Sequence, residues 1–445
     1  MQFNLNEIKE CLDCEILYKK ENINPEELFN ISTDTRKLSK GDTYLPLRGE
    51  NFDGHNFISK AIENGARGYF TQDKYKVDKK ADFVIYVKNS LIAYLKLANR
   101  IRNKINPLVI AITGSCGKTT TKEMLYSVFS EQFKTHKTIL NHNNEIGLCE
   151  TMFNMPEDTE VAIVEMGMRN LGEIELLSNY ANPDIGIISN IGSAHVERLG
   201  TLKNIAIAKC EIVKNLKKEG LFIGVDCPQI KENLSYDGRK IFTSLNDVSD
   251  IEMTKEGTSF VYKNEKYEIT QAGEYNVSNA ILVIEAALNC KVTLQNIKNG
   301  LKKYKPIEKR WEKSEINGIT FINDSYNANP ESMLAVLKTF LAVYTEPIVL
   351  VLGDMLELGK DEIAYHKQIG EFLSNYSNIE LLTVGNLARH IARNTTLKCV
   401  EFDNNKDCAD YINKNVKKGT TILLKASRSM KFEQIIEYVN NGEKL

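Results

Sequence analysis

An apolar run from Leu108 to Ile112 passes directly into Thr113-Gly114-Ser115-Cys116-Gly117-Lys118-Thr119-Thr120, and apolar residues then recur at helical spacing at Met124, Leu125, Val128 and Phe129. A strand, a glycine-rich turn and a helix in that order leave few folds open. They fit a parallel α/β sheet with a phosphate-cradling loop at the carboxyl end of a strand. The glycines let the backbone curl so that successive N–H groups and the helix N-terminus face phosphate oxygens, while Lys118 adds a cation and Thr119 offers a hydroxyl to Mg²⁺. Gly114 to Thr120 are therefore candidate nucleotide contacts. The general pattern has a further glycine five positions before Gly117; Ile112 stands there, which makes this the shorter Gly-x-x-Gly-Lys-Thr-Thr form.

Short apolar runs continue to alternate with amphipathic stretches at Val161–Val164, Ile185–Ile188, Ile348–Leu352, Leu381–Val384 and Thr421–Leu424. The middle and last parts of the chain both read as doubly wound α/β sheets, whose ligands sit beyond the carboxyl ends of the strands. The length of 445 residues suggests two to four domains, at roughly 100–200 residues each. Two changes of pattern mark boundaries. The basic amphipathic run Leu91 to Ile105 gives way to a strand near Asn103–Pro107, and the charged stretch Lys302–Lys313, with Pro306, precedes the strand-like Gly318–Ile322. The expected division is 1–105, 106–308 and 309–445, all α/β, with a Rossmann-like last domain.

With 57 basic against 59 acidic side chains, the net charge of −2 provides no drive toward nucleic-acid phosphates or acidic lipid. No stretch reaches the roughly 18 apolar residues of a membrane helix, and MQFNLNEIKE has neither a basic start nor an apolar run. The nine cysteines are scattered, and Cys11-x-x-Cys14 lacks a second pair to complete a zinc site. A reducing cytoplasm is the expected setting.

Three more residues carry chemistry. Glu165 ends the run Val161–Val164, and His195 follows the run at 185–188 in Ile191-Gly192-Ser193-Ala194-His195-Val196-Glu197. With Thr119 they offer a hydroxyl, a carboxylate and an imidazole at strand ends, a set suited to divalent metal beside phosphates. Lys209 occupies a position within the helical stripe Leu199, Leu202, Ile205, Ile212 and Leu216. From pattern alone the plainer reading is a snorkelling lysine. The other is a desolvated, neutral amine that takes up CO₂ as a carbamate and becomes an anionic oxygen ligand.

These residues in this order resemble the ATP-dependent muramyl-peptide ligases of bacterial cell-wall synthesis. The likeness extends to Asn141-His142-Asn143-Asn144-Glu145-Ile146-Gly147, Glu165-Met166-Gly167, Ser193-Ala194-His195-Val196-Glu197 and Ala208-Lys209-Cys210-Glu211. Three further segments look like those of the family member that adds D-alanyl-D-alanine to the UDP-muramoyl tripeptide: Asp324-Ser325-Tyr326-Asn327-Ala328-Asn329-Pro330, then Leu352-Gly353-Asp354-Met355-Leu356-Glu357-Leu358-Gly359 with His366, and Lys425-Ala426-Ser427-Arg428-Ser429-Met430. Thr33-Asp34-Thr35-Arg36, Gly41-Asp42 through Gly49 and Asp53-Gly54-His55-Asn56-Phe57 resemble that family's uridine-nucleotide-binding domain.

The resemblance implies an ADP-forming ligase that activates a carboxylate as an acyl phosphate, with UDP-muramoyl tripeptide, D-alanyl-D-alanine and ATP as small-molecule partners. Lys118, Glu165, His195 and Lys209 would be catalytic. Thr119 and Glu165 would hold one Mg²⁺, and His195 and a carbamylated Lys209 a second. Asn276 and Asn279 would face adenine, and Arg310 and Asp324 would reach the nucleotide. Asn143 and Asn144 would line the substrate cleft, Thr35, Arg36 and Arg48 would hold the uridine nucleotide, and Tyr326, Asn327 and Asn329 would contact dipeptide or ribose. A cytoplasmic monomer suffices.

Several positions depart from the family pattern: Tyr275 stands in a histidine slot, Lys309 replaces a glycine before Arg310, Asn323 an aspartate, Gly224 an asparagine and Ala426 a glycine. Cys116 and Cys210, beside Lys118 and Lys209, raise the question of oxidation, with packing the plainer use. Two rivals stand beside this reading. One is a sibling ligase adding a single amino acid to a muramyl peptide or glutamate to folate, and the other is a non-catalytic nucleotide-binding scaffold.

Overall fold

The computed structural model describes residues 2–49, 51–306, 309–345 and 347–442. The chain segregates into two compact units whose segments interleave along the sequence. One is built from Met1–Val109, Lys134–Met166 and Leu176–Asn182, the other from Ile110–Phe133, Gly167–Glu175 and Pro183–Leu445.

In the first unit a five-stranded sheet runs in the order Cys14–Lys19, Phe83–Val87, Gly68–Thr71, Thr43–Tyr44, Ile31–Ser32, parallel except for its first strand. The amphipathic run read at 91–105 is the helix Ser90–Ile105, capped by the Asn89 side chain, which accepts from Ile92 N–H. It buries Ala93, Leu97, Ala98 and Ile101 and ends where Asn106 turns left-handed. Arg102 on this helix is buried because its guanidinium donates to the carbonyls of Ala181 (3.0 Å) and Asn182 (3.2 Å). The same unit holds the parallel pair Thr135–Lys137 and Val161–Glu165 and the helix Glu145–Phe153. Asn144 caps that helix by accepting from Gly147 N–H at 3.0 Å. Position 147 must be glycine, since a Cβ would lie 2.0 Å from the His142 carbonyl oxygen.

In the second unit four parallel strands hydrogen-bond in the order Arg239–Thr243, Leu221–Val225, Ile185–Ile188, Leu108–Thr113. The helix Lys118–Phe129 follows and buries Met124, Leu125, Val128 and Phe129, the four residues read as its inner face. The stripe Leu199–Leu216 is not one helix. Gly200, at φ +78°, ends the turn Val196–Leu199, Thr201 caps a new helix Leu202–Cys210, and Glu211–Val213 tightens to a 3₁₀ turn. Restarting the helix changes the phase, which leaves Leu202 41% exposed. A small antiparallel sheet, Val248–Thr254, Gly257–Tyr262 and Glu265–Ile269, was not anticipated within the middle segment. Its second hairpin turns on Lys263 and Asn264, both at positive φ, as a two-residue turn compatible with strand twist requires.

The last sheet runs Glu312–Ile316, Ile319–Asn323, Thr421–Lys425, Ile348–Gly353, Glu380–Val384, Lys398–Phe402, with only the first strand antiparallel. Both faces are covered. Ile322, Leu350, Leu352, Leu381 and Leu423 pack with the helix Pro330–Val343 side, and Phe321, Val351, Leu382, Ile422 and Leu424 pack with Ile412, Ile435 and Val439 opposite. Strands buried on both faces read as continuous apolar runs, which is why they were legible. Within the charged stretch at 302–313, Ile307 and Glu308 lie outside the described residues. Among the described residues no helix is long and apolar enough to cross a membrane.

Candidate active site

The glycine loop follows its strand, and Gly114 and Gly117 hold positive φ. At Gly117, φ is +78° and a Cβ would sit 2.5 Å from Asn279 Oδ1, so the amide of Asn279 packs against the loop. The loop is stitched to the end of the neighbouring strand. Cys116 N–H donates to Asn190 Oδ1 (2.7 Å), Ser115 N–H donates to the Asn190 carbonyl (3.1 Å), and Ser189 Oγ donates to the Cys116 carbonyl. Ser115 Oγ donates to the Gly192 carbonyl (3.0 Å) and accepts from its N–H (2.9 Å). Ser115 and Cys116 thus use these groups to shape the loop, while Lys118 Nζ donates to the Gly114 carbonyl at 2.7 Å. Thr119 and Thr120 are buried in the first turn of the helix.

Lys209 is 1% exposed. Snorkelling is therefore overturned: the ammonium position is enclosed along with the stem. Burial, and then the neighbouring Lys118 ammonium, push its pKa well below the ordinary lysine value. Among the described residues it has no hydrogen-bond or ion-pair partner. An enclosed amine whose pKa is depressed by burial and by a neighbouring cation fits the carbamate chemistry. His195 sits at φ +68° with Nδ1 3.3 Å from Glu357 Oε2, outside hydrogen-bond alignment. Burial, Lys118 and Lys209, with Arg169 and Arg198 beyond them, lower its pKa to about 4. The imidazole is neutral near pH 7, the form that binds metal. Among the described residues no group of three or more His, Cys, Asp and Glu side chains is placed to hold a metal ion.

The end of the charged stretch and the segment after it meet the loop. Arg310 Nη2 donates to Thr119 Oγ1 at 3.2 Å, its guanidinium lies 4.1 Å above the Tyr326 ring, and among the described residues its buried Nε has no hydrogen-bond partner. Asp324 accepts from Trp311 N–H (3.0 Å) and from Lys425 Nζ. Lys425 also donates to the Asn327 carbonyl at 3.3 Å. Asn329 caps the helix Pro330–Val343 and donates from Nδ2 to Cys116 Sγ at 3.0 Å. Glu331 accepts from Ser193 N–H (3.0 Å) and Ser193 Oγ (2.8 Å). Asn276 is buried at the start of the helix Glu274–Asn289 and spends Nδ2 on the Ala272 carbonyl.

Asn190, Glu331 and Lys425 carry part of this arrangement, and the sequence reading gave them no role. Asn190 stands just beyond the strand Ile185–Ile188, where the strand-end rule would have found it. Lys425 ends a strand and lies within a motif already singled out. Nothing in the sequence marked Glu331. Cys210 is 5% exposed with its thiol pushed up to about 12 by burial, which removes the case for its oxidation. His366 is structural: Nε2 accepts from Met355 N–H at 2.9 Å, and Nδ1 faces the Glu362 carbonyl at 2.7 Å.

In the other unit, Asn143 Nδ2 donates to Glu165 Oε1 at 3.0 Å, and Thr138 Oγ1 accepts from Glu165 N–H at 3.1 Å. Asn144 is committed to its helix cap. Arg36 pairs with Asp34 (2.8 Å) and Arg48 with Asp53 (2.8 Å), which also holds His55 Nδ1 at 2.7 Å; the Thr35 carbonyl accepts from Asn64 Nδ2. These cations therefore stand beside carboxylates that also hold them when no ligand is bound.

Comparison with known proteins matches 27–106 to the Mur ligase family catalytic domain, 112–287 to the Mur ligase middle domain and 309–428 to the Mur ligase glutamate ligase domain. The chain is 38% identical over 425 residues to the UDP-N-acetylmuramoyl-tripeptide--D-alanyl-D-alanine ligase of Bacillus subtilis (strain 168), spanning 92% of this chain and 93% of that one. A crystal structure of MurF from Acinetobacter baumannii superposes with a TM-score of 0.91 at 27% identity, covering 99% of each chain. The MurF ligase from Thermotoga maritima, in complex with ADP, gives 0.85 at 25% identity, covering 94% of this chain and 99% of that one.

Proposed function

The chain belongs to the Mur ligase family and is an ATP-dependent amide-bond-forming ligase of peptidoglycan precursor synthesis, and from this premise we propose that it is the member that joins D-alanyl-D-alanine to the UDP-N-acetylmuramoyl tripeptide. The observation that carries this finer reading is the alignment with the Bacillus subtilis ligase across nine-tenths of both chains. The segment from Asp324 to Pro330, which a sibling adding a single amino acid is expected to lack, supports it, and this segment contributes Tyr326 under Arg310 and Asn329 against Cys116. The three matched segments also support a three-domain division near residues 105 and 308.

A carboxylate is a poor acylating agent because its leaving group would be oxide. In the proposed reaction a terminal carboxylate oxygen of the tripeptide attacks the γ-phosphorus of ATP and ADP leaves. The amine of D-alanyl-D-alanine then attacks the acyl carbon, the C–N bond forms, phosphate departs and the amine loses a proton. Negative charge gathers first on the transferring phosphoryl group and then on the tetrahedral intermediate, so the chain's work is positioning and electrostatic stabilisation. Lys118 and Arg310 supply positive charge at the loop, and Arg310 Nε, which has no hydrogen-bond partner among the described residues, is a candidate donor to a nucleotide oxygen. Thr119, Glu165, His195 and a carbamylated Lys209 would hold Mg²⁺, which when bound neutralises phosphate charge. Asn276, Asn279 and Asp324 serve the nucleotide side. Asn143 and Asn144, with Tyr326, Asn327 and Asn329, serve the peptide cleft, and Thr35, Arg36 and Arg48 serve the uridine nucleotide.

Phosphate release from ATP with purified UDP-muramoyl tripeptide, with and without D-alanyl-D-alanine, tests this directly. Turnover is expected only with both. Equal turnover with a free amino acid in place of the dipeptide would assign the chain to a sibling activity.

A further inference from the structure

Arg310 is flanked by two non-glycine residues in the left-handed region, Lys309 at φ +62° and Trp311 at φ +56°. A Cβ there crowds the following carbonyl oxygen, so such a backbone persists only where its surroundings hold it. The surroundings of Lys309 do so at every polar group. Its N–H donates to Glu312 Oε2 (3.0 Å), its carbonyl accepts from Tyr326 N–H (3.1 Å), and its Nζ donates to Glu433 Oε1 (3.1 Å). Glu433, in the first turn of the helix Glu433–Asn441, also receives Arg428 Nη1 at 2.7 Å. On the far side, Trp311 N–H is fixed by Asp324, and the Arg310 carbonyl accepts from Gln271 Nε2 at 3.2 Å.

We propose that Lys309 and Glu433 are positioning residues for nucleotide binding: their ion pair holds the left-handed turn that aims Arg310 at the phosphate loop. The inference rests on the reading of Arg310 as a nucleotide contact. One residue sets both halves of the arrangement, because the carbonyl of Lys309 also fixes Tyr326, whose ring underlies the Arg310 guanidinium. The paired side chains are 22% and 21% exposed, sheltered enough that water and salt do not cancel the attraction. The two residues are 124 positions apart, so their pair ties the turn to the start of a distant helix rather than to a neighbouring loop. In this chain the side chain of residue 309 replaces the conformational freedom of a glycine with a tether.

The test is equilibrium titration of the full-length protein with ATP, alongside the ATP and D-alanyl-D-alanine KM values, for Arg310→Ala, Lys309→Ala, Glu433→Gln, Lys309→Arg and the double variant K309A/E433Q. Arg310→Ala is expected to weaken ATP binding about twentyfold or more. Lys309→Ala and Glu433→Gln should each weaken it about five- to tenfold with the dipeptide KM unchanged, and the double variant should be no worse than the more impaired single. Lys309→Arg should stay within twofold of the parent. Glu433→Gln is isosteric, so it reads the charge pair even if Lys309→Ala folds poorly. Unchanged ATP affinity in Glu433→Gln while Arg310→Ala is impaired overturns the proposal, as does an equal loss in every kinetic parameter that tracks a fallen Tm. Wild-type ATP affinity in Arg310→Ala overturns the reading of Arg310 itself.

Discussion

The guanidinium of Arg310 donates to the hydroxyl of Thr119 across 3.2 Å, although 191 positions separate the two residues. Thr119 belongs to the helix that opens after the glycine loop, and Arg310 to a turn that precedes an edge strand of the last sheet. The contact makes the phosphate site a joint product of two sequence regions.

Gly117→Ala should nearly abolish nucleotide binding. The new Cβ would meet Asn279 Oδ1 at 2.5 Å and would have to hold φ +78°. A left-handed alanine costs roughly 1–2 kcal/mol before the clash is counted. An ATP affinity within threefold of the parent would show that the loop relaxes freely.

Asn190→Ala removes the acceptor of the Cys116 N–H bond at 2.7 Å. Stranding a fully buried donor costs about 1–3 kcal/mol, and this part-buried N–H should fall toward the lower end. Some of that cost should appear as a disordered loop and about a tenfold rise in the ATP Kd, with little change in affinity for the UDP-linked substrate. Titration with each ligand separately distinguishes the two.

Replacing Lys209 with alanine should lower kcat by about a hundredfold or more, and short carboxylic acids such as acetate should restore part of it. The enclosed lysine, with no hydrogen-bond partner among the described residues, supports a carbamate, whose oxygens a diffusible carboxylate can imitate. Failure of rescue across a series of acids, with the variant folded, would leave an amine as the functional form.

The stability of the ligand-free protein should fall as pH drops from about 6.5 to about 4. In the folded chain His195 has its pKa lowered to about 4, whereas the unfolded imidazole titrates at 6.5, so the unfolded state binds the extra proton within that window. The contribution is fully present above pH 6.5 and is lost on acidification. One pKa unit corresponds to 1.36 kcal/mol, so the loss is on the order of 2–3 kcal/mol after allowing for partial exposure. The urea midpoint of the parent should fall more steeply between pH 6.5 and 4 than that of His195→Asn; parallel curves would assign the acid sensitivity elsewhere.

The phosphate loop and the strands read as apolar runs at 108–112, 161–164, 185–188, 348–352, 381–384 and 421–424 were legible in the amino-acid order because their determinants are local, whereas Leu221–Val225 and the edge strands Arg239–Thr243 and Lys398–Phe402 were not singled out. Glycine tolerance, the first helical turn after Gly117 and unbroken apolar runs act over a few neighbouring residues. Lys209 was legible only as an anomaly in an apolar stripe: whether its head reached water depended on what packed above it, and tertiary enclosure decided that. The partners of Asn190, Glu331, Lys425 and the Lys309–Glu433 pair could not be read beforehand, since these hydrogen bonds join residues 74 to 138 positions apart and form only after the sheets have packed. Chemistry carried by residue type and short spacing belongs to the sequence; the pairing of charges and the enclosure of an amine belong to the folded chain, because desolvation and distance are properties of packing.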